Sequence, residues 1–181
     1  MRRAAFVALT ISFMAITTAY AADYDAWFPA PLKNWTASKI SYNQSKVDRL
    51  TGEPPKDSSK SDPMGLFTIT RYQVSREYYA PDKKGGVAII FDNYDCAGTA
   101  MIEMMHKDAK ARRQMGDRLK PVKVEGFYAL EGYNKKKQKD LVSISLGKCG
   151  VALVGGRDVS AAAISSYVEK LNLKRIGKGL K

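Results

Sequence analysis

Apolar and polar residues alternate over residues 141–146, in the C-terminal part of the chain, and this predicts a strand with one buried face. Residues 150–155 are apolar on both faces, as in a strand that is covered on both sides. Over residues 159–171 apolar residues recur at spacings of three and four, which predicts a helix with one face on the sheet. Asp158 is the predicted N-cap of this helix. We expect the rest of the domain to assemble around this strand, strand and helix.

Four further strands are predicted upstream, in runs rich in β-branched and aromatic residues. The strand predicted over residues 87–91 is apolar on both faces and is the predicted central strand, whereas the strand predicted over residues 122–130 alternates. Between the first two lie residues 43–63, which are polar and rich in Ser, Lys, Asp and Pro and predict a long mobile loop. The four predicted strands are residues 35–42, 65–80, 87–91 and 122–130.

A second helix is predicted over residues 96–115, with Asp95 as its N-cap and Gly116 after its end. The element order is then β-β-β-α-β-β-β-α. This order predicts an α+β fold, in which a mainly antiparallel sheet of about six strands carries two main helices, one on each face. The expected buried stripe of the second helix comprises Ala97, Met101, Met104, Met105 and Ala109.

The N-terminus predicts export. Arg2 and Arg3 precede thirteen uncharged residues, 4–16, a run too short to span a bilayer. Residues 19–21, Ala-Tyr-Ala, have the small-x-small pattern that signal peptidase cleaves, so we expect a signal peptide over residues 1–21, cut before Ala22. The alternative is an uncleaved N-terminal anchor. Because no cysteine lies near the cut, we expect a periplasmic or secreted protein that is not a lipoprotein.

The remaining residues, 22–181, are about the length of one domain and predict a single α+β domain with a basic C-terminal tail, residues 174–181. The whole chain has a net charge of +12. Removal of Arg2 and Arg3 leaves 28 basic and 18 acidic residues, a net charge of +10. A charge of this size on a small domain favours anionic partners or surfaces and says little about the fold.

The chain has two cysteines, Cys96 and Cys149. In an exported protein such a pair predicts a structural disulfide. The alternative is a redox or metal-binding pair. However, the sequence has no Cys-x-x-Cys motif, and neither cysteine has a histidine beside it. We therefore predict a Cys96–Cys149 disulfide.

Two basic segments are candidates for binding an anionic membrane or an acidic protein. Nucleic acid is an unlikely partner for them, because no aromatic residues are interleaved with the charges. The alternative is that both segments are simply solvated, one as a loop and one as a chain end. The candidate residues are Lys135, Lys136, Lys137 and Lys139 in the first segment, and Lys174, Arg175, Lys178 and Lys181 in the second.

No catalytic constellation is apparent, and we expect no enzyme activity and no cofactor. The single histidine, His106, is not accompanied by a nucleophile elbow such as Gly-x-Ser-x-Gly, and no glycine-rich phosphate loop is present. Met101, Met105 and His106 are weak candidates for Cu(I), which thioethers and imidazole suit. On an ideal helix His106 lies about 140° from Met101, so the methionines are better explained as core residues.

Two short segments carry a resemblance to a known group. Residues 29–36, Pro-Ala-Pro-Leu-Lys-Asn-Trp-Thr, and the ending with Gly-Gly-Arg-Asp at 155–158 and Leu-Asn-Leu at 171–173 resemble small uncharacterised exported proteins of proteobacteria. That group is similar to the PsbP-like α/β/α sandwich, which is also the fold of periplasmic DcrB-type proteins. The resemblance implies a non-enzymatic accessory role beside membrane complexes, and it implies no site residues.

The sequence therefore predicts a periplasmic accessory or binding protein without catalysis of its own, acting on an anionic partner or membrane surface. The first alternative is a protein that binds a small ligand or copper between the sheet and a helix. An enzyme of unknown class is the third possibility.

Overall fold

The computed structural model describes residues 24–48, 68–93, 96–114, 119–134 and 139–180. The predicted signal peptide, residues 1–21, and Ala22 lie outside these ranges. The described residues contain eight strands and four helices, and none of these helices is long and apolar enough to cross a membrane. The strands are β1 Thr36–Ala37, β2 Ser41–Asp48, β3 Thr68–Tyr79, β4 Gly86–Asp92, β5 Leu119–Val124, β6 Phe127–Asn134, β7 Lys139–Ser145 and β8 Val151–Arg157; the helices are α1 Cys96–Lys107, α2 Ala109–Gln114, α3 Ala161–Val168 and α4 Leu173–Gly179.

The eight strands form one sheet in the order β1-β3-β4-β8-β7-β6-β5. The remaining strand, β2, follows β1 along the same edge and pairs with residues 68–75 of β3. All pairings are antiparallel, so the predicted α+β fold with a mainly antiparallel sheet is confirmed. Because successive strands reverse direction, the connections alternate between two ends of the sheet. One end, here called the α4 end, carries Asp92, the turn at residues 125–126 and the turn at residues 146–150. The other, here called the far end, carries the turn at residues 80–85, Arg157 and the paired residues Asn134 and Lys139.

Side chains alternate between the two faces of the sheet and build a separate core on each. The larger core contains residues such as Ile89, Ala129 and Val154, and α3 and α4 complete it. The smaller core contains Leu130 and Val151, which are covered by α1. In agreement with this, α1 lies over β5, β6 and β7, whereas α3 lies over β7 and β8. The predicted placement of one main helix on each face is therefore correct.

The sheet has eight strands, whereas about six were predicted, because two predicted strands are each divided. Residues 35–42 form β1 and the start of β2, and the interruption lies where Ser38 bonds to β3: Ser38 Oγ accepts from Glu77 N–H, and the Ser38 carbonyl accepts from Arg76 Nε. Residues 122–130 are divided by a tight turn at Glu125 and Gly126, both with positive φ. The hydrophobic alternation continues across such a turn, so the pattern does not reveal it.

The predicted loop 43–63 is wrong at its beginning, because residues 43–48 belong to β2. This strand is polar on both faces, and all eight of its residues are paired with β3. An edge strand of this kind derives its order from the hydrogen-bonded ladder and only to a small extent from burial, so it lacks the apolar period that predicts a strand. Residues 49–63 lie outside the described ranges.

The buried stripe of the 96–115 helix was predicted wrongly except for Met105. Its buried residues are Thr99, Ile102 and Met105, whereas Met101 and Met104 are 36% and 48% exposed. The helix also ends early, at Lys107, and a new helix, α2, follows. Asp108 lies just before α2, and its carboxylate accepts from the N–H groups of Lys110 and Ala111 in the first turn of that helix. Residue 115 lies outside the described ranges.

The buried face of the last predicted helix is confirmed, but the helix begins and ends at other residues than predicted. Ile164, Tyr167 and Leu171 are buried, as the spacing indicated. The N-cap is Ser160, whose hydroxyl accepts from Ala163 N–H, and not Asp158, whose φ of 55° is left-handed. The helix stops at Val168, and the chain then turns into a fourth helix, α4. The predicted basic tail is therefore largely helical.

Candidate functional site

Cys96 and Cys149 form the predicted disulfide, with a Cα–Cα distance of 4.1 Å. The bond joins the first residue of α1 to the turn between β7 and β8. No cysteine is free in the chain, so a thiol or a metal–thiolate site is not available in this state. The disulfide thus anchors one end of α1 at the α4 end of the sheet.

Helix α4 is held in place from both sides, which a solvated chain end would not be. Leu173 and Ile176 are fully buried in the larger core. At the helix start, Asn172 Oδ1 accepts from Arg175 N–H, and Glu125 Oε2 accepts from Leu173 N–H at 3.3 Å. The second of these bonds joins α4 to the β5–β6 turn. The exposed basic side chains of α4 are therefore presented by a fixed helix.

The β7–β8 turn lies directly beside α4. A Cβ placed on Gly177 would lie 3.6 Å from the Leu146 carbonyl oxygen, and one on Gly150 would lie 3.7 Å from Leu180 Cδ1. The exposed Lys148 lies on this turn, with a left-handed φ of 50°. The α4 end therefore presents four exposed basic residues together: Lys148, Lys174, Arg175 and Lys178. Lys181 lies outside the described ranges.

The docking of α4 depends on a close approach between Gly179 and the ring of Trp27. A Cβ on Gly179 would overlap the indole, whereas one on Gly177 would meet only ordinary contacts. We expect Gly179→Ala to lower the free energy of unfolding by about 1–3 kcal/mol, the usual cost of overpacking. Gly177→Ala, in the same helix, should be neutral or should raise it by up to about 1 kcal/mol. Urea unfolding of the two variants measures both, and equal stabilities would contradict this docking.

Of the other candidate segment, only Lys139 is among the described residues, and it lies at the opposite end of the sheet. Lys135, Lys136 and Lys137 are outside the described ranges, and Lys139 begins β7 opposite Asn134, at the far end. The far end also exposes three described cations, Lys83, Lys84 and Arg157. A strand of seven residues is about 23 Å long, more than twice the screening length of about 10 Å at 0.1 M salt. The two basic regions therefore act independently.

A row of aromatic rings, not foreseen from the sequence, lies at the α4 end. Tyr42 stacks between Tyr24 and Tyr72, with ring centroids 5.5 and 6.1 Å away. Tyr24 meets Trp27 edge to face at 4.8 Å, and the Trp27 ring touches α4 at Gly179. Tyr42, Tyr72 and Gly179 are far in sequence from the Tyr24–Trp27 pair, so no local pattern could have joined them. The row connects α4 to the edge strand β2.

Tyr42 is both exposed and uncharged. Its side chain is 45% exposed, and its hydroxyl donates to Gln44 Oε1 at 3.3 Å. Partial burial, together with the neighbouring Tyr24 and Tyr72 hydroxyls, raises the pKa of Tyr42 to about 12. The ring consequently carries no charge at neutral pH and offers an apolar face with a polar tip.

The copper candidates lie in three different surroundings. Met105 is fully buried in the smaller core, while Met101 is exposed. His106 Nε2 lies 2.8 Å from the Ala129 carbonyl oxygen, and its ring packs on Tyr128 at 4.7 Å. Among the described residues, no group of three or more His, Cys, Asp or Glu side chains could hold a metal. These observations do not favour a metal site at α1.

Asp92 at the end of β4 is buried and forms an ion pair with Arg71, whose Nε and Nη2 both donate to the carboxylate. This pair fixes the start of β3 to the end of β4. The described residues at the α4 end thus form a basic, partly aromatic surface on a packed support, which can attract anions. No family model matches the chain, and neither a curated protein nor a solved structure matches it.

Proposed function

We propose that this chain is an exported, periplasmic accessory protein without catalysis, which binds an anionic partner or membrane surface. The observation that carries the proposal is the set of exposed cations that the fold does not use. Among the described residues, Lys148, Lys174 and Lys178 have no carboxylate partner, and the same holds for Lys83 and Lys84 at the far end. Charges that are neither paired nor buried contribute little to folding and remain available for a partner.

Two further observations support a binding role over a catalytic one. The only histidine of the chain is bonded to the backbone of β6 and stacked on Tyr128, an arrangement that anchors α1. The two cysteines are joined in the disulfide. The PsbP-like and DcrB-type resemblance, which rests on the sequence, also implies accessory roles beside membrane complexes.

The proposal is tested by measuring the binding of the mature protein to two anionic probes, vesicles rich in phosphatidylglycerol and immobilised polyglutamate. We expect binding to at least one probe at low ionic strength. We also expect this binding to weaken steeply as salt is added, because exposed charges are screened. Neutral phosphatidylcholine vesicles are the control. A protein that binds neither anionic probe at low ionic strength would contradict the proposed function.

A further inference from the structure

The α4 end carries exposed cations and an exposed tyrosine, Tyr42, whose link to α4 runs through the buried ring of Trp27. We define the α4-end surface by Lys148, Lys174, Lys178 and Tyr42. The cations lie on α4 and on the β7–β8 turn against it. Tyr42 is connected to α4 through Tyr24 and Trp27, each ring in contact with the next. The sequence did not indicate that Tyr42 and these cations lie at the same end of the sheet.

The backbone that carries these cations is fixed by packing and by the disulfide. Leu173 and Ile176 fix α4 in the larger core, and the turn that carries Lys148 is bonded to α1 through the disulfide. At the start of α4, Glu125 Oε2 accepts from the Leu173 N–H, which ties the helix to the β5–β6 turn. Attraction to an anionic surface therefore needs no reorganisation of the protein, which lowers the entropic cost of binding.

The chemistry of the surface suits a lipid bilayer better than a folded protein. Lysine is depleted in protein interfaces, whereas clusters of lysine are the usual means by which proteins contact anionic headgroups. Three of the four exposed basic residues at this end are lysines, and the fourth is Arg175. Lysine is a hydrated point charge on a flexible stem, which fits a diffuse array of phosphates and lacks the planar fork with which arginine pairs with a fixed carboxylate. Tyrosine is enriched at the membrane–water interface, where its ring is apolar and its hydroxyl stays wet.

We propose that the α4-end surface docks on an anionic phospholipid bilayer, with Lys148, Lys174 and Lys178 at the headgroup phosphates and the ring of Tyr42 at the interface. This proposal rests on the proposed function and names its partner and its contact surface. The far end then faces away from the bilayer and remains open to solvent or to another partner.

The test compares two triple variants that remove the same charge from opposite ends. The α4-end variant is Lys148→Gln, Lys174→Gln, Lys178→Gln; the matched control is Lys83→Gln, Lys84→Gln, Arg157→Gln. Co-sedimentation with phosphatidylglycerol-containing vesicles gives the partition coefficient of each. Each cation near the surface contributes about a fivefold factor, so the α4-end variant should bind about 100-fold more weakly than wild type at low ionic strength. The control should stay within about fivefold, because its charges lie beyond the screening length. Unfolding by urea verifies that both variants are folded.

Tyr42→Ser provides a second measurement of vesicle binding, in which the ring is removed and the net charge is unchanged. The contribution of an apolar ring is not screened by salt, so this variant should lose a similar fraction of binding at low and high ionic strength. The α4-end variant should instead differ from wild type much less at high ionic strength than at low ionic strength, because salt screens the charges that it lacks. An unchanged partition coefficient for Tyr42→Ser would remove the ring from the contact surface.

The outcomes separate this proposal from the proposed function. If both triple variants lose binding equally, or the control loses more, the α4 end is not the contact surface, although an anionic partner remains. If the wild type binds polyglutamate but not the vesicles, the bilayer is the wrong partner and the proposed function stands. If it binds neither, both are overturned.

Discussion

Replacing Cys96 and Cys149 together by alanine should lower the free energy of unfolding by about 4 kcal/mol. The bond closes a loop between residues 53 apart, and the chain-entropy model assigns about this value to a loop of that length. A loss of 4 kcal/mol is a large share of the 5–15 kcal/mol that is typical of a domain. Urea unfolding of the oxidised wild type and of the double variant measures the difference.

The loss should be concentrated in α1. This helix covers the smaller core, whose buried members among the described residues are Ile102, Met105, Leu130 and Val151, so the disulfide is a major part of its attachment. Amide hydrogen exchange in α1 should therefore accelerate more than in α3. Ala100→Ser, at an exposed position of α1, is a control that should change stability by less than about 0.5 kcal/mol. A double variant as stable as the control, or two alkylatable thiols in native protein, would refute this role.

Truncating Ile164 to alanine should cost about 2–5 kcal/mol. Its side chain is 2% exposed and lies over Gly156, where an added Cβ would be only 2.6 Å from Ile164 Cδ1. This close approach of α3 to β8 leaves little backbone freedom to collapse into the space, so a cavity should remain and the cost should lie in the upper half of that range. Urea unfolding of the variant against wild type measures the loss.

Ser165→Ala is the matched control for this prediction, since Ser165 is the next residue of α3 and is exposed. It should leave the free energy of unfolding within about 0.5 kcal/mol of the wild type. Equal effects of the two substitutions would mean that α3 packs on the sheet through a different face. A large loss for Ile164→Ala alone establishes the stripe that the spacing of three and four predicted.

The strongly periodic segments were predicted correctly, and the weakly periodic ones were not. The stripe of α3 is confirmed because its large apolar residues, Ile164, Tyr167 and Val168, lie on one side of the helix. The stripe of α1 was misplaced because apolar residues surround that helix, and only its attachment at Cys96 and its position over Leu130 decide which of them are buried. Methionine is unbranched and tolerates exposure, so Met101 and Met104 gave a misleading signal.

The candidate surface was predicted only in part. The positive charges at Lys174 and Arg175 were apparent, but a basic segment near a chain end gives no sign of whether it is anchored. Its anchors are contacts with distant parts of the chain, namely Trp27, Glu125 and Leu146. The tyrosine row requires residues from an N-terminal segment and two strands to meet, which depends on the pairing of β2 with β3.

By itself, the sequence determined the α+β class, the pairing of the two cysteines and the excess of positive charge, because hydrophobic period, cysteine number and net charge are local or additive properties. The tertiary structure alone decided where that charge lies. Strand order places Lys139 and α4 at opposite ends of the sheet, and packing against Trp27 and the β7–β8 turn converts the expected tail into α4. Such long-range contacts depend on the register of the whole sheet, which no short segment of the chain encodes.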